Sequence, residues 1–428
     1  MKTWKKVALT GSTVLAVVTL AAYGSSTSSS TSSTNFKGET LTIGTWAGSP
    51  QETTAMNTQI KNFEKETGAK IVNRVYTNID QQLPADFAAK KAPDAFYLNA
   101  PSFPLYNKEG ILKALDSAAY GSKSDFYSNQ LNAFSANGNV YGVPKDVSTL
   151  AQFVNLDMLA KIGVKVSDIP TSYEGLISWL PGIQAKLDAT YGKGKVVAFG
   201  YDQDLARLLP IAKAGNADFI LNKGNGNSNL SSSAVLSNLD ILSKLVATKA
   251  VATPAALGSS NDGEAFGTNK VLMVDDGNWD LQTLAQQYKL TAGKDFTAIP
   301  MPTYKGEATT MTYTVGWAES ATSKVSALAE KWINYETSNA GMKIDCEGTG
   351  VLPTRPDLKS TVVNGNSTLE VFANGLNDGI PQQYGTNLGQ VTTSFNNFLP
   401  NALSGKITMA SAMKQADAQA NTAIKNGN

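Results

Sequence analysis

The sequence predicts an α/β protein of two lobes, each a mainly parallel sheet flanked by helices, with hinge strands between them. Three observations carry this. The chain has 428 residues, more than one ordinary hydrophobic core organises, so two cores are expected. Its folded part opens strand–helix–strand, the pattern of a parallel sheet covered by helices. The stretch 138–157 reads as a passage between lobes. It follows the turn dipeptide Asn137-Gly138 and contains Pro144, which fixes φ and cannot donate to a ladder. A polar loop, Asp146-Val147-Ser148-Thr149, then leads to an apolar strand over 150–154. Asn155 and Asp157 stand where a helix running to Gly163 would be capped.

Taken in order, the first 23 residues read as an export signal rather than structure. Lys2, Lys5 and Lys6 supply a positive start, and residues 7–20 are an apolar run too short to span a bilayer comfortably. The run ends in Leu20-Ala21-Ala22-Tyr23-Gly24, which resembles a bacterial lipoprotein signal with Tyr23 where the lipid-bearing cysteine should stand. A thioether cannot form on tyrosine, so this residue puts the anchor in question. Residues 24–35 are almost pure serine and threonine, a tether with too little apolar surface to fold.

Folded structure is expected from Phe36 onward. Residues 41–46 read as a buried strand. Ser49-Pro50-Gln51-Glu52 has capping-box spacing with proline at the first helical position, Met56, Ile60 and Phe63 share a face, and Gly68 ends the helix. A strand at 71–75, a helix at 80–91 and a short strand at 92–99 follow, the last ending in a polar loop at Asn99. Beyond the crossing come a helix within 170–189 broken at Pro181, a strand at 196–200, an Asn- and Gly-rich loop at 215–230, and a helix over 232–250. An apolar strand from Val271 enters a polar loop, Asp275-Asp276-Gly277-Asn278, just before Trp279. Strands at 296–301 and 314–320, an amphipathic helix after Val325, and tail helices at 392–403 and 408–424 complete the reading. The expected lobes are residues 36–145 with 304–355, and 146–303 with 356–428.

Composition narrows the function. Without residues 1–23 the chain carries 33 basic and 35 acidic side chains, net −2, so nothing draws it to nucleic acid or to an anionic membrane. There is no histidine, which excludes a Ser-His-Asp triad, a histidine acid–base and a histidine metal site together. The lone Cys346 forbids an intrachain disulfide and reads as a small buried apolar residue. Neither a cofactor nor a metal is expected.

Several segments, in order, resemble the family 1 extracellular solute-binding proteins, the receptors of sugar-importing ABC transporters, and among them the maltodextrin-binding kind. They are "LTIGTWAG" at 41–48, "FEKETGAKIV" at 63–72, "YGVPKD" at 141–146, the Gly-x-Trp loop ending at Trp279, "TVGWAES" at 314–320 and "GTGVLPTR" at 348–355. The resemblance implies a periplasmic-binding-protein-like fold and a neutral oligosaccharide ligand captured between the lobes. It also implies delivery to the membrane permease subunits of an ABC transporter, action as a monomer at the bacterial cell surface, and no catalysis.

Carbohydrate sites combine flat aromatic faces with carboxylates or amides, and α/β sheets bind ligands beyond the carboxyl ends of their strands. Trp46, Asn99, Asp146, Trp279 and Trp317 all stand at expected strand ends. The resemblance favours Asp146 as a sugar-contacting acid and adds Tyr384. Blander readings stand beside these. Trp46 and Trp317 would serve equally to cap the sheet, and Asp146 to cap a turn. Trp179 and Trp332, mid-helix, read as core. A non-sugar receptor, a glycan-cleaving enzyme and a sensor or adhesion protein remain open, although the candidate loops are poor in lysine and arginine. Asp275 and Asp276, adjacent on a strand, should point to opposite sides and make a poor acid–base pair.

Overall fold

The computed structural model describes residues 36–382 and 384–427. The expected export signal and tether lie outside them. Strand β1 (Thr40–Trp46) leads into the helix Pro50–Thr67. Its N-terminus is capped by Ser49, which accepts the Glu52 N–H at 3.1 Å, and its C-terminus by Gly68 in the left-handed region. β2 (Lys70–Tyr76) lies parallel to β1 along its whole length, and β3 (Ala95–Asn99) lies parallel on the other side. The dipeptide Asn137-Gly138, both residues at positive φ, turns a small hairpin between β4 (Ser135–Ala136) and β5 (Asn139–Val140).

β6 (Gly142–Asn155) is the spine of the molecule, buried at every one of its 14 residues. Its first half pairs antiparallel with β11 (Met311–Glu319), which continues the sheet of β1–β3. Its second half pairs with β9 (Val271–Gly277) on one edge and β10 (Phe296–Pro300) on the other. β9 carries the sheet on to β7 (Val197–Gly200) and β8 (Val251–Ala252), both parallel, while a short β12 (Ile380–Pro381) pairs with β11.

The expected loop at Asp146–Thr149 is therefore strand. Pro144 opposes Gly316 and Asp146 opposes Val315, so Lys145 is the extra residue of a β-bulge. The bulge accommodates the proline without ending the strand. Two further expectations change. The helix Tyr173–Tyr191 runs through Pro181 unbroken, because Leu176, Leu180, Ile183 and Leu187 bury a continuous face around it. Asp275 and Asp276 belong to β9 and are buried. They do point apart: Asp275 meets Tyr173 and Gln152, Asp276 meets Arg207.

Each lobe has its own core. In the first, Leu41, Phe63, Phe96, Trp317 and Trp332 pack between the sheet and its helices. In the second, Leu176, Phe199, Leu239, Phe395 and Met413 fill one face of the sheet. Phe153, Phe266, Phe296 and Phe372 form a third apolar cluster on the other face, beside the crossing strands. At about 25 cal/mol per Å² of apolar surface removed from water, these interiors supply the main favourable term of folding. Among the described residues no helix is long and apolar enough to cross a membrane.

Candidate functional site: a polar cavity between the lobes

A cavity of about 1020 Å³ lies between the two lobes. The first lobe contributes the carboxyl ends of β2 and β3, with Asp80, Asn99 and Ser102. The second contributes Asp204 and Arg207 at the start of the helix Leu205–Lys213, and the polar face of the helix Leu388–Leu403. In that last helix Val391, Phe395 and Leu399 face the core, which leaves Gln390, Thr393 and Asn396 for the cavity. Trp279 and Tyr313 line it beside the crossing strands.

The walls are hydrogen-bonded in layers. Asn99 donates its amide to both oxygens of Asp80, at 3.1 and 3.0 Å, and accepts the Tyr313 hydroxyl at 2.6 Å. Ser102 donates to Asp80 at 3.0 Å. With the Asn99 amide committed in this way, the group presented to solvent is the exposed Asp80 carboxylate, in the first turn of the helix Ile79–Ala88. Across the cavity Asn396 donates to Asp204 at 2.7 Å and accepts the Leu205 N–H at 2.9 Å. Arg207 is held by Asp276 at 3.1 Å and Asp202 at 3.2 Å, and its guanidinium lies 5.6 Å from the Trp279 ring. Trp279 itself packs edge-on against Tyr313, 6.4 Å between ring centres. Behind Arg207 the Asp262 carboxylate is fully buried. Burial first and Asp276 second push its proton affinity up, and Arg207 only partly opposes them.

Of the six residues expected to bind ligand, the cavity gathers Asn99 and Trp279. Trp46 is turned under the first helix, donating to Glu52 at 2.8 Å and lining a separate crevice of about 80 Å³. There burial pushes Glu52 to about 7, against the pull of Lys145. Asp146 lies off the cavity wall in a buried ion pair with Lys145, which also holds Asp345 at 2.7 Å. The bulge at Lys145 drives both side chains inward. Trp317 is fully buried between Tyr97, 4.6 Å away, and Trp332, 5.5 Å away, so neither face of its ring is open. Tyr384 stacks on Phe219 at 4.8 Å, carries the Lys213 ammonium 4.4 Å from its ring, and donates its hydroxyl to Asp218 at 2.8 Å. Its surfaces are spent on the second lobe. Glu319, outside the cavity, holds Lys113 and Ser326.

A fold of two sheets sharing one crossing strand, with a polar cavity at the strand ends, suits capture of a soluble ligand. The family model described as bacterial extracellular solute-binding protein matches residues 58–368. The chain belongs to the bacterial extracellular solute-binding proteins. A relative named multiple sugar-binding protein, from Streptococcus mutans serotype c, is 25% identical over 367 residues, covering 82% of this chain and 83% of the relative. Among solved structures, the GacH receptor of Streptomyces glaucescens, studied unliganded and with acarbose, aligns with a TM-score of 0.77 at 20% identity, over 91% of this chain and 99% of that one. A substrate-binding protein of Listeria monocytogenes in complex with cycloalternan aligns at 0.78 and 18%, over 90% and 99%. A solute-binding protein from Thermotoga lettingae bound to α-D-tagatose aligns at 0.77 and 19%, over 90% and 100%. These likenesses establish the two-lobed fold.

The solute-binding protein brings Asp80, Tyr313, Arg207, Asp204 and Asn396 to its cavity, none of which the sequence singled out. Asp80 had a usable signal: it opens a helix just past a strand end, behind the cap Asn78. Tyr313 looked like any strand residue, and Asn396 like the wet face of a tail helix. Only the packing of distant segments turns them towards one space.

Proposed function

We propose that this solute-binding protein captures a neutral oligosaccharide, of maltodextrin-like character, between its lobes and delivers it to the membrane subunits of an ABC importer without chemically altering it. The observation that carries the reading is the cavity wall. It is large, rich in amides and hydroxyls, carries one half-exposed indole, and has its arginine already neutralised by two carboxylates. Its volume reaches the upper end of small-molecule pockets, enough for more than one sugar ring. Hydroxyl-rich ligands match such a wall, with Trp279 offering a flat apolar face and Asp80 accepting hydroxyl hydrogens. An acidic ligand would meet Asp80 and Asp204 and, among the described residues that line the cavity, a single cation, Arg207, already paired with two carboxylates. The ligands of the similar solved structures, acarbose, cycloalternan and α-D-tagatose, support a carbohydrate as the ligand. We assign the lobes as residues 36–145 with 304–355, and 146–303 with 356–428. At the cell surface, Tyr23 stands against a lipid anchor.

A thermal-shift panel tests this. Neutral mono- and oligosaccharides, uronates and sugar phosphates are added in turn. A ligand at a hundred times its dissociation constant stabilises by about 2.7 kcal/mol, a readily measured rise in melting temperature. Neutral oligosaccharides should shift the melt and be recovered intact after overnight incubation. A shift by the acidic sugars alone, or cleavage beyond stoichiometry, would overturn the reading.

A further inference from the structure

At residues 149–150 the spine strand β6 changes partners on both edges at once. On one edge β11 ends its pairing at Thr149, opposite Thr312, and β10 begins at Ala151, opposite Pro300. On the other edge, the bridge between Val147 and Leu352 gives way to β9, which begins at Leu150, opposite Gly277. Both residues are buried, so their backbone groups need partners where the ladders break. Two side chains supply them. The Thr310 hydroxyl accepts the Leu150 N–H at 3.0 Å and donates to the Leu150 carbonyl at 2.9 Å. The Asn278 amide accepts the Thr149 N–H at 3.0 Å and donates to the Gly350 carbonyl at 2.9 Å, tying β6 to the next crossing segment.

We infer that Thr149–Leu150 is the pivot about which the lobes rotate, and that Asn278 and Thr310 are its positioning residues. A ladder of backbone hydrogen bonds resists rotation because each bond is fixed in direction by the strands on both sides. A hydroxyl rotor and a side-chain amide can follow a turning backbone and stay bonded, so the twist concentrates where they replace the ladder. Asn278 also joins the pivot to the cavity. The next residue is Trp279, which lines the cavity and packs on Tyr313 of β11. A ligand pressing on Trp279 thus loads the pivot directly. The inference stands whether or not that ligand is a sugar.

The test reads lobe motion without ligand. Spin labels on Lys65→Cys and Lys414→Cys, exposed on the two lobes, report an inter-lobe distance distribution, while buried Cys346 stays unlabelled in the folded chain. Asn278→Leu and Thr310→Val should each broaden the distribution, and Thr310→Ser, which restores the hydroxyl, should return it to the width of the unaltered chain. A merely structural role would lower the melting temperature and leave the width alone. If Asn278→Leu does not fold, the threonine pair decides. An unchanged width in Thr310→Val, or a Thr310→Ser distribution as broad as that of Thr310→Val, overturns the inference.

Discussion

Gly277 ends β9 two residues before the cavity indole, and a methyl group there provides a sharp perturbation. Its φ lies outside the left-handed region, so alanine is compatible with the backbone. Space is the obstacle. A β-carbon would stand 2.2 Å from the Trp279 ring, against an ordinary contact of 3.4 Å or more, so the ring must retreat by about 1.2 Å. The ring is rigid and already seated between Tyr313 and Arg207. Retreat weakens an edge-to-face contact worth about 0.5–1.5 kcal/mol and a cation–π contact worth about 0.5–1 kcal/mol. Overpacking of this kind costs about 1–3 kcal/mol, and Gly277→Ala should lose that much stability. It should also weaken oligosaccharide binding roughly tenfold or more, about 1.4 kcal/mol, because the flat face moves off the ligand. Melts and calorimetric titration on one preparation, beside Trp279→Ala as the limiting case, measure both. Lost stability with affinity intact would remove Trp279 from the site, and neither effect would refute the packing described around it.

Three further outcomes follow from buried charge and from Tyr23. Lys145→Met strands the Asp146 and Asp345 carboxylates without their cation, and should cost about 3–5 kcal/mol in chemical denaturation; a loss under 1 kcal/mol would mean the pairs are not formed. Asp275 is raised to about 7 by burial, its partners Tyr173 and Gln152 being neutral, and Glu52 is raised to about 7 likewise. A carboxyl whose folded value is raised contributes stability that is complete below its unfolded value, near 4, and lost as pH climbs through 7. Melting temperature should therefore fall between pH 5 and pH 8, and fall less in Asp275→Asn; an equally steep fall in that variant would clear Asp275. The chain as written should incorporate no labelled lipid and Tyr23→Cys should incorporate it, and uptake by the unaltered chain would contradict the reading of that signal.

Much of the fold was legible because its signals are local. Ser49, Pro50 and Gly68 bound the first helix by capping chemistry, and Asn137-Gly138 dictates its hairpin, whatever the rest of the chain does. The crossing at 142–155 was visible through its proline and its apolar run. Its continuity was not, because a β-bulge depends on the facing strand and Pro144 alone reads as an ending. The site was harder to read. Trp279 and Asn99 were recoverable from strand ends, but burial decides which aromatic faces stay open, and burial is set by distant partners. Trp317 is closed by Tyr97 and Trp332, and Tyr384 by Phe219 and Lys213. Asp146, a carboxylate in a promising place, is claimed by the lysine beside it.

The central claim, that an oligosaccharide is held in the inter-lobe cavity through Asp80, is tested most directly by one calorimetric comparison. The neutral oligosaccharide giving the largest melting shift is titrated into the unaltered chain and into Asp80→Ala. Removing this carboxylate leaves the Asn99 amide and the Ser102 hydroxyl without their acceptor, so the melting temperature should fall slightly, while binding should lose about 1.5–3 kcal/mol, roughly ten- to a hundredfold in affinity. Equal affinity in the two proteins would contradict the account.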